Sequence, residues 1–150
     1  MNAPELRGVR RFERIGCANC HSGPMFSDYK THVLGVADNG KLLIADTGVN
    51  GTHAFRTPSL RNLAYSAPYM HTGTLRTLDD VLRFYRGGRG RNRNTNVSRD
   101  QLDPLLRRLR GVGRDPGTLT AFLSALNDDS FDKTIPDLVP SGLHPGGNVQ

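Results

Sequence analysis

Apolar residues recur at helical spacing in three separate stretches of this 150-residue chain. Near its start, ELRGVRRFERI carries Leu6, Val9 and Phe12 a turn apart, with Gly8 at a place where a second helix can approach closely. Near its end, GTLTAFLSALN repeats the period with Leu119, Phe122, Leu123 and Leu126. Between them, TLRTLDDVLRFYRGG puts Leu78, Val81, Leu82 and Tyr85 on one stripe. Thr77 is a candidate cap for that segment, Asp79 and Asp80 fall near its positive end, and Gly87 or Gly88 can follow its last turn. The pattern predicts three helices, the first and last crossing.

The intervening chain is polar and rich in turn residues. GVADNGKLLIADTGVNGTH, residues 35 to 53, reads as turns around at most one short strand, Leu42 to Ala45. After Asn127 the tail, with PDLVPSGLHPGG, reads as an extended surface arm. The expected architecture is therefore mainly α with long loops: one domain over residues 1–127 and a Pro/Gly-rich arm over 128–150. Neither an internal repeat nor a long linker divides it.

Composition narrows the class. An apolar content of 36% with 23% charged residues suits a single soluble globular domain. No apolar run approaches the length of a membrane span, and MNAPELRGVRRF lacks the basic-then-apolar order of a secretory signal. A mature form, a fragment or a cytosolic protein would each fit. The net charge of +6 is unevenly spread, because ten of the seventeen arginines lie between Arg83 and Arg114 around GGRGRNRNTNVS. That segment reads as a mobile polar loop. Without interleaved aromatic residues to stack bases it suits docking of an acidic protein better than nucleic-acid binding.

Both cysteines sit in one short motif, GCANCH, from Cys17 to His21. Structural zinc needs four ligands, and no second Cys/His pair at ligand spacing follows. A thioredoxin-like redox pair opens a helix after an apolar strand, whereas here a basic helical segment and FERIG precede it. The remaining reading is covalent attachment of one c-type haem. Cys17 and Cys20 would form thioethers to the two vinyl groups, and His21 would ligate the iron from one face. For the other face generic cytochrome logic favours Met70, which follows His21 by 49 residues in SAPYMHTG, with Tyr69 and His71 also in reach. Tyr85 belongs to the inward stripe of its helix, as a core tyrosine would. Met25 is too close to His21 to reach the far face and reads as packing.

AFRTPSLRNLAYSAPYMHTGTLRTLDDVLRFYRGG, together with GCANCHSGPMFSD and the AFLSAL helix, resembles the C-terminal haem domain of the bacterial dihaem cytochrome c peroxidase family, to which MauG also belongs. The resemblance covers most of the chain. It implies a cytochrome c-like fold whose first and last helices pack through a glycine and aromatic residues. It makes Arg56 and Arg61 partners of the haem propionates, and Ser66 and Pro68 backbone ligands of a calcium ion at the boundary between haem domains. His71, beside that boundary, would aid electron passage or hold a propionate. In these peroxidases the ligating methionine comes fourteen residues after the histidine of PYMH, and that interval lands here on Tyr85. MauG-type enzymes carry a tyrosine at this place, and a phenolate stabilises more highly oxidised iron where a thioether favours the reduced form.

The family's second haem domain, the N-terminal site of peroxide reduction, has its own CxxCH, and this chain contains one such motif. The resemblance thus implies the electron-transfer part of a dihaem peroxidase or MauG-like oxidase, lacking a peroxidatic centre by itself. Its partners would be an N-terminal haem domain or subunit and a small donor cytochrome, and its place the periplasm, where c-type haem is attached. The alternative is a free-standing monohaem cytochrome c that carries electrons. His32, His53 and His144 carry no comparable signal, although His32 lies in a stretch the family keeps near the haem.

Overall fold

The computed structural model describes residues 1–86, 92–109, 111–112, 114–130 and 136–142. Among these residues there are three α-helices, α1 (Ala3–Ile15), α2 (Leu78–Arg86) and α3 (Pro116–Ser124), and much of the rest is loop. A two-stranded antiparallel sheet pairs β1 (Thr31–Val33) with β2 (Ala54–Arg56), placing His32 opposite Phe55. Short 3₁₀ turns fall at Cys17–Asn19, Val49–Gly51, Leu63–Tyr65 and Pro104–Arg108. No helix among the described residues is long and apolar enough to cross a membrane.

Helix α1 starts at a capping box. The Asn2 side chain accepts from the Glu5 N–H at 3.1 Å, and the Glu5 carboxylate accepts from the Asn2 N–H at 2.6 Å. It ends at Gly16, whose left-handed backbone (φ 100°) lets its N–H bond back to Glu13 and turns the chain into the cysteine motif. The buried face is Gly8, Phe12 and Ile15, and Leu6, expected on the inner stripe, is 49% exposed. The cause is the place of α3. It crosses directly over Gly8, where an added Cβ would lie 2.2 Å from the Thr118 carbonyl oxygen and 2.5 Å from Phe122 Cβ. The contact favours the Gly8–Phe12–Ile15 ridge and leaves Leu6 to one side.

Helix α2 is capped as its sequence suggests. Thr77 Oγ1 accepts from the Asp80 N–H at 3.1 Å, while the Asp80 carboxylate accepts from the Thr77 N–H at 3.1 Å and the Thr77 hydroxyl at 2.7 Å. Arg83 pairs with Asp79 and Asp80 on the solvent side, where such pairs contribute little. Two apolar clusters result. The larger joins Phe12, Ile15, Leu63, Leu82, Val112, Leu119, Phe122 and Leu123, and the smaller joins Val97, Leu102 and Leu106. Tyr85 and Leu109 pack against both.

Two loop expectations change. Leu42 to Ala45 form no strand, and Leu43 and Ile44 stand exposed in a bend. The Asn39 side chain accepts the Lys41 N–H (3.1 Å) and its carbonyl accepts the Leu42 N–H (2.9 Å), while Asp46 accepts the Gly48 N–H (2.9 Å), so tight turns bound the run on both sides and take the donor of its first residue. The second half of the basic polar segment is fixed rather than mobile. Asn94 is buried and donates to the Val36 carbonyl (3.0 Å) and to Asp38 (2.7 Å), Asn96 donates to the other Asp38 oxygen (2.9 Å), and Val97 enters the smaller cluster. Gly87 and Gly88, with residues 131–135 and 143–150 of the expected arm, lie outside the described residues. Where the arm begins, the Asp128 N–H donates to Asn62 at 2.7 Å, and the Tyr65 hydroxyl donates to Asp129.

Replacing Gly8 by alanine drives a methyl group into the backbone of α3. Gly8→Ala is expected to cost about 1–3 kcal/mol, the range for overpacking a tight contact. Gly40→Ala, where a Cβ meets nothing within 4 Å, is the control and leaves the melting temperature nearly unchanged in thermal unfolding followed by circular dichroism.

Candidate functional site

The αL cap at Gly16 releases the chain into a single 3₁₀ turn, Cys17–Asn19, which the Cys20 and His21 N–H groups close by donating to the Cys17 carbonyl at 3.3 and 3.0 Å. The next turn folds back. The Phe26 N–H donates to Gly23, Ser27 to Ser22, and Asp28 to the Cys20 carbonyl at 2.8 Å. This return brings the Phe26 carbonyl to 2.9 Å from His21 Nδ1. Nδ1–H donates there, which fixes the ring and leaves Nε2 as the nitrogen to meet a metal. Burial, chiefly, lowers the His21 pKa, against the hydrogen bond to Phe26 and a weaker influence of the Pro58 carbonyl, so the ring stays neutral, as a ligand must be.

An aromatic floor lies beneath this turn. Phe12 stands 5.2 Å from Phe122, 6.3 Å from Phe26 and 6.5 Å from the His21 ring, and Phe26 is 5.7 Å from Phe122. These tilted and edge-on pairs are each worth about 0.5–1.5 kcal/mol beyond area burial. The two cysteines are unpaired and partly buried. Burial, then its neighbour Cys20, pushes the Cys17 thiol up to about 12. Burial, then Asp28 and Asp103, pushes Cys20 up to about 11, with Lys30 acting the other way. A redox dithiol needs a stabilised thiolate, and this site disfavours one.

Tyr85 closes the site from α2. Its phenol is pushed well above the ordinary value by burial and then by the Cys17 and Cys20 thiols. The residue as a whole is part-buried and packs against both apolar clusters, and its hydroxyl is desolvated. The other candidates of the PYMH stretch lie differently. The Tyr69 hydroxyl donates to the Leu63 carbonyl at 3.0 Å. Met70 has a left-handed backbone (φ 65°) in a turn closed by the Gly73 N–H on its carbonyl at 3.1 Å. His71 stacks on Phe55 with ring centres 3.4 Å apart and planes at 12°. Burial lowers the His71 pKa, opposed by Asp46 and Asp38.

Arg61 donates from Nε to the Pro24 carbonyl at 2.8 Å, and its guanidinium lies 5.7 Å from the Phe26 ring. It is therefore anchored to the return turn. Arg56, on β2, places its guanidinium 4.8 Å from the Tyr29 ring at the surface. Ser66 and Pro68 are exposed, and the Ser66 hydroxyl donates to Leu63 at 3.2 Å.

One residue of the site, which the sequence placed only in a stretch the resembled family keeps near the haem, gains partners that the sequence did not show. His32 is buried, with Nδ1 2.6 Å from an Asp103 oxygen and Nε2 3.0 Å from an Asp28 oxygen. The Cys20 sulfur, an Asp28 oxygen and a His32 nitrogen all lie within 4.8 Å of one another. Asp28 precedes His32 by four positions, a signal that was present; Asp103 is 71 positions away, and nothing local announces it.

The donors fit a covalently held haem: two part-buried free thiols three residues apart, a neutral imidazole oriented through Nδ1, and a desolvated phenol on α2 packed against the same cluster as Cys17. No protein-family model matches the chain. It is 34% identical to the cytochrome-c peroxidase IdrP2 of Denitromonas iodatirespirans, over 83% of this chain and 40% of that protein. It is 34% identical to the methylamine utilization protein MauG of Methylorubrum extorquens, over 92% of this chain and 38% of that one. Among solved structures, a MauG-like protein associated with microbial copper homeostasis superposes with a TM-score of 0.67 at 26% identity, over 87% of this chain and 48% of that one. The chain thus spans about two fifths of the length of these curated relatives.

The raised thiol values predict slow alkylation of the haem-free chain. At neutral pH, Cys20 should react with iodoacetamide on the order of a hundredfold more slowly than an unperturbed cysteine, and Cys17 more slowly still. Rate against pH, followed by mass spectrometry, should rise only well above the usual thiol range; rapid labelling at neutral pH would contradict the buried geometry.

Proposed function

Because the chain belongs to the bacterial cytochrome c peroxidase and MauG family, we propose that it is the c-type haem electron-transfer domain of a dihaem peroxidase or MauG-like oxidase. The observation that carries this reading is shared packing: Cys17, Phe26 and Tyr85 all pack against the cluster that holds Phe12 and Phe122, and the Phe26 carbonyl orients the His21 ring.

In this reading Cys17 and Cys20 hold one haem as thioethers, each S–H adding across a vinyl group. A haem supplies one-electron redox chemistry when bound. His21 Nε2 ligates from the side of the return turn, with Phe26 fixing the ring through Nδ1. Tyr85, on α2, would be the second residue to hold the iron, with Met70 the alternative. Ligation by Tyr85 requires loss of its phenolic proton, which burial resists, so only a cation in the pocket draws it off. Phe12, Phe26 and Phe122 would shield the His21 ring from water. Arg61, whose Nε is already anchored on Pro24, presents its outer nitrogens as donors to one propionate, and Arg56 serves the other.

The wider assignments follow the same family logic. A second haem domain, as a further part of the chain or a separate subunit, would meet the face carrying Ser66, Pro68 and His71, with the Ser66 and Pro68 carbonyls toward a calcium ion. A small donor cytochrome would supply electrons, and the compartment would be the periplasm. The single CxxCH motif also suits a monohaem electron carrier.

Expression alongside a cytochrome c maturation system tests the reading. The pyridine haemochrome spectrum of the product should report one haem per chain with two thioethers, and Cys17→Ala or Cys20→Ala should shift it to the single-thioether form. The loaded chain should exchange electrons with a small cytochrome while consuming no peroxide unaided. A product with no covalent haem would refute the proposal.

A further inference from the structure

The Asp28–His32–Asp103 group lies outside the residues that would hold a haem, yet it is built against the attachment turn. His32 is 9% exposed, and each ring nitrogen has a carboxylate oxygen at hydrogen-bond distance, Asp103 at 2.6 Å and Asp28 at 3.0 Å. A neutral imidazole carries one N–H and can serve one carboxylate; the other would face a lone pair. The geometry therefore specifies the imidazolium between two carboxylates, a group of net charge −1. Burial works against the charged ring, and the hydrogen bonds it donates to Asp103 and Asp28 outweigh it, holding the His32 pKa above its ordinary value.

Both carboxylates are pinned by backbone. Asp28 accepts from the Lys30 N–H at 3.0 Å, and its own N–H donates to the Cys20 carbonyl. Asp103 accepts from the Leu105 N–H at 2.7 Å, and its N–H donates to Val33 at 2.9 Å. The group is also felt at the motif: Asp28 and Asp103 both raise the Cys20 thiol, with Lys30 the opposing cation, and Asp28 and His32 act on the His21 ring in opposite directions. Its charge thus bears on the sulfur through which a haem would be attached.

We infer that the Asp28–His32–Asp103 clamp sets the reduction potential of the group attached at Cys20, its net negative charge favouring the oxidised, more positive iron and lowering the potential. The inference rests on the haem reading of Cys20. His32 and its two partners are positioning residues, acting through charge and through the hold of Asp28 on the Cys20 carbonyl.

Equilibrium redox titration of the haem-loaded chain tests it. Asp103→Asn removes a negative charge while keeping an acceptor for Leu105, and should raise the midpoint potential; His32→Gln removes the positive charge and should lower it. Opposite directions are the signature, because a merely loosened pocket moves both variants the same way. The differences should persist in about 1 M salt, which screens exposed charges far more than buried ones. If a variant does not fold, nitrogen-15 NMR of the parent protein at mildly alkaline pH should show both His32 ring nitrogens protonated. Two variants shifting together, variants that do not shift, or a neutral His32 would overturn the clamp while covalent haem is still present. A parent chain without covalent haem removes the reading beneath it and the inference with it.

Discussion

The approach of α1 to α3 at Gly8 is the constraint on which the rest depends. The 2.2 Å that an added Cβ would leave to the Thr118 carbonyl shows two backbones in contact, with Phe12 and Phe122 meeting one turn further on. That crossing fixes the end of α1. Gly16 then delivers Cys17–His21 onto the aromatic floor, and the return turn brings Phe26 under His21. Site geometry is thus inherited from a helix crossing, not from the loop that carries the chemistry.

Burial is the common cause behind the site's electrostatics. It raises both thiols and the Tyr85 phenol and lowers His21, each toward its neutral form. A neutral imidazole is what ligation of a metal requires. The phenol is the exception, since it must become an anion to ligate, and the pocket allows that only beside a strong positive charge. The Asp28–His32–Asp103 group runs against this trend as an ionised cluster kept inside by reciprocal hydrogen bonds.

Local signals made much of this legible. Gly8 with Phe12 and Phe122 announced the crossing, Thr77 and Asp80 announced the start of α2, and GCANCH announced the attachment turn. The interval from His71 to Tyr85 singled out a phenol that the fold desolvates and packs against the same cluster as Cys17, although identity as a ligand is chemistry that spacing alone does not carry. What escaped was non-local. Which stripe of α1 turns inward depends on where α3 crosses, so Leu6 was misread. Asn94 looked like solvated loop because its partners, Val36 and Asp38, lie more than fifty residues away. Leu42 to Ala45 had strand composition, but tight turns at Asn39 and Asp46 bound it on both sides and the Asn39 carbonyl took the Leu42 N–H. His32 needed Asp103 to stand out, and only folding joins them.

The central claim is that helix α2 brings Tyr85, rather than the PYMH loop bringing Met70, to the open face of a haem carried at Cys17 and Cys20. The optical spectrum of the ferric, haem-loaded chain tests this most directly when compared with Tyr85→Phe and Met70→Ala. The account predicts no methionine-to-iron charge-transfer band in the parent, a changed spectrum for Tyr85→Phe and an unchanged one for Met70→Ala. A methionine band that survives Tyr85→Phe and vanishes in Met70→Ala would contradict it.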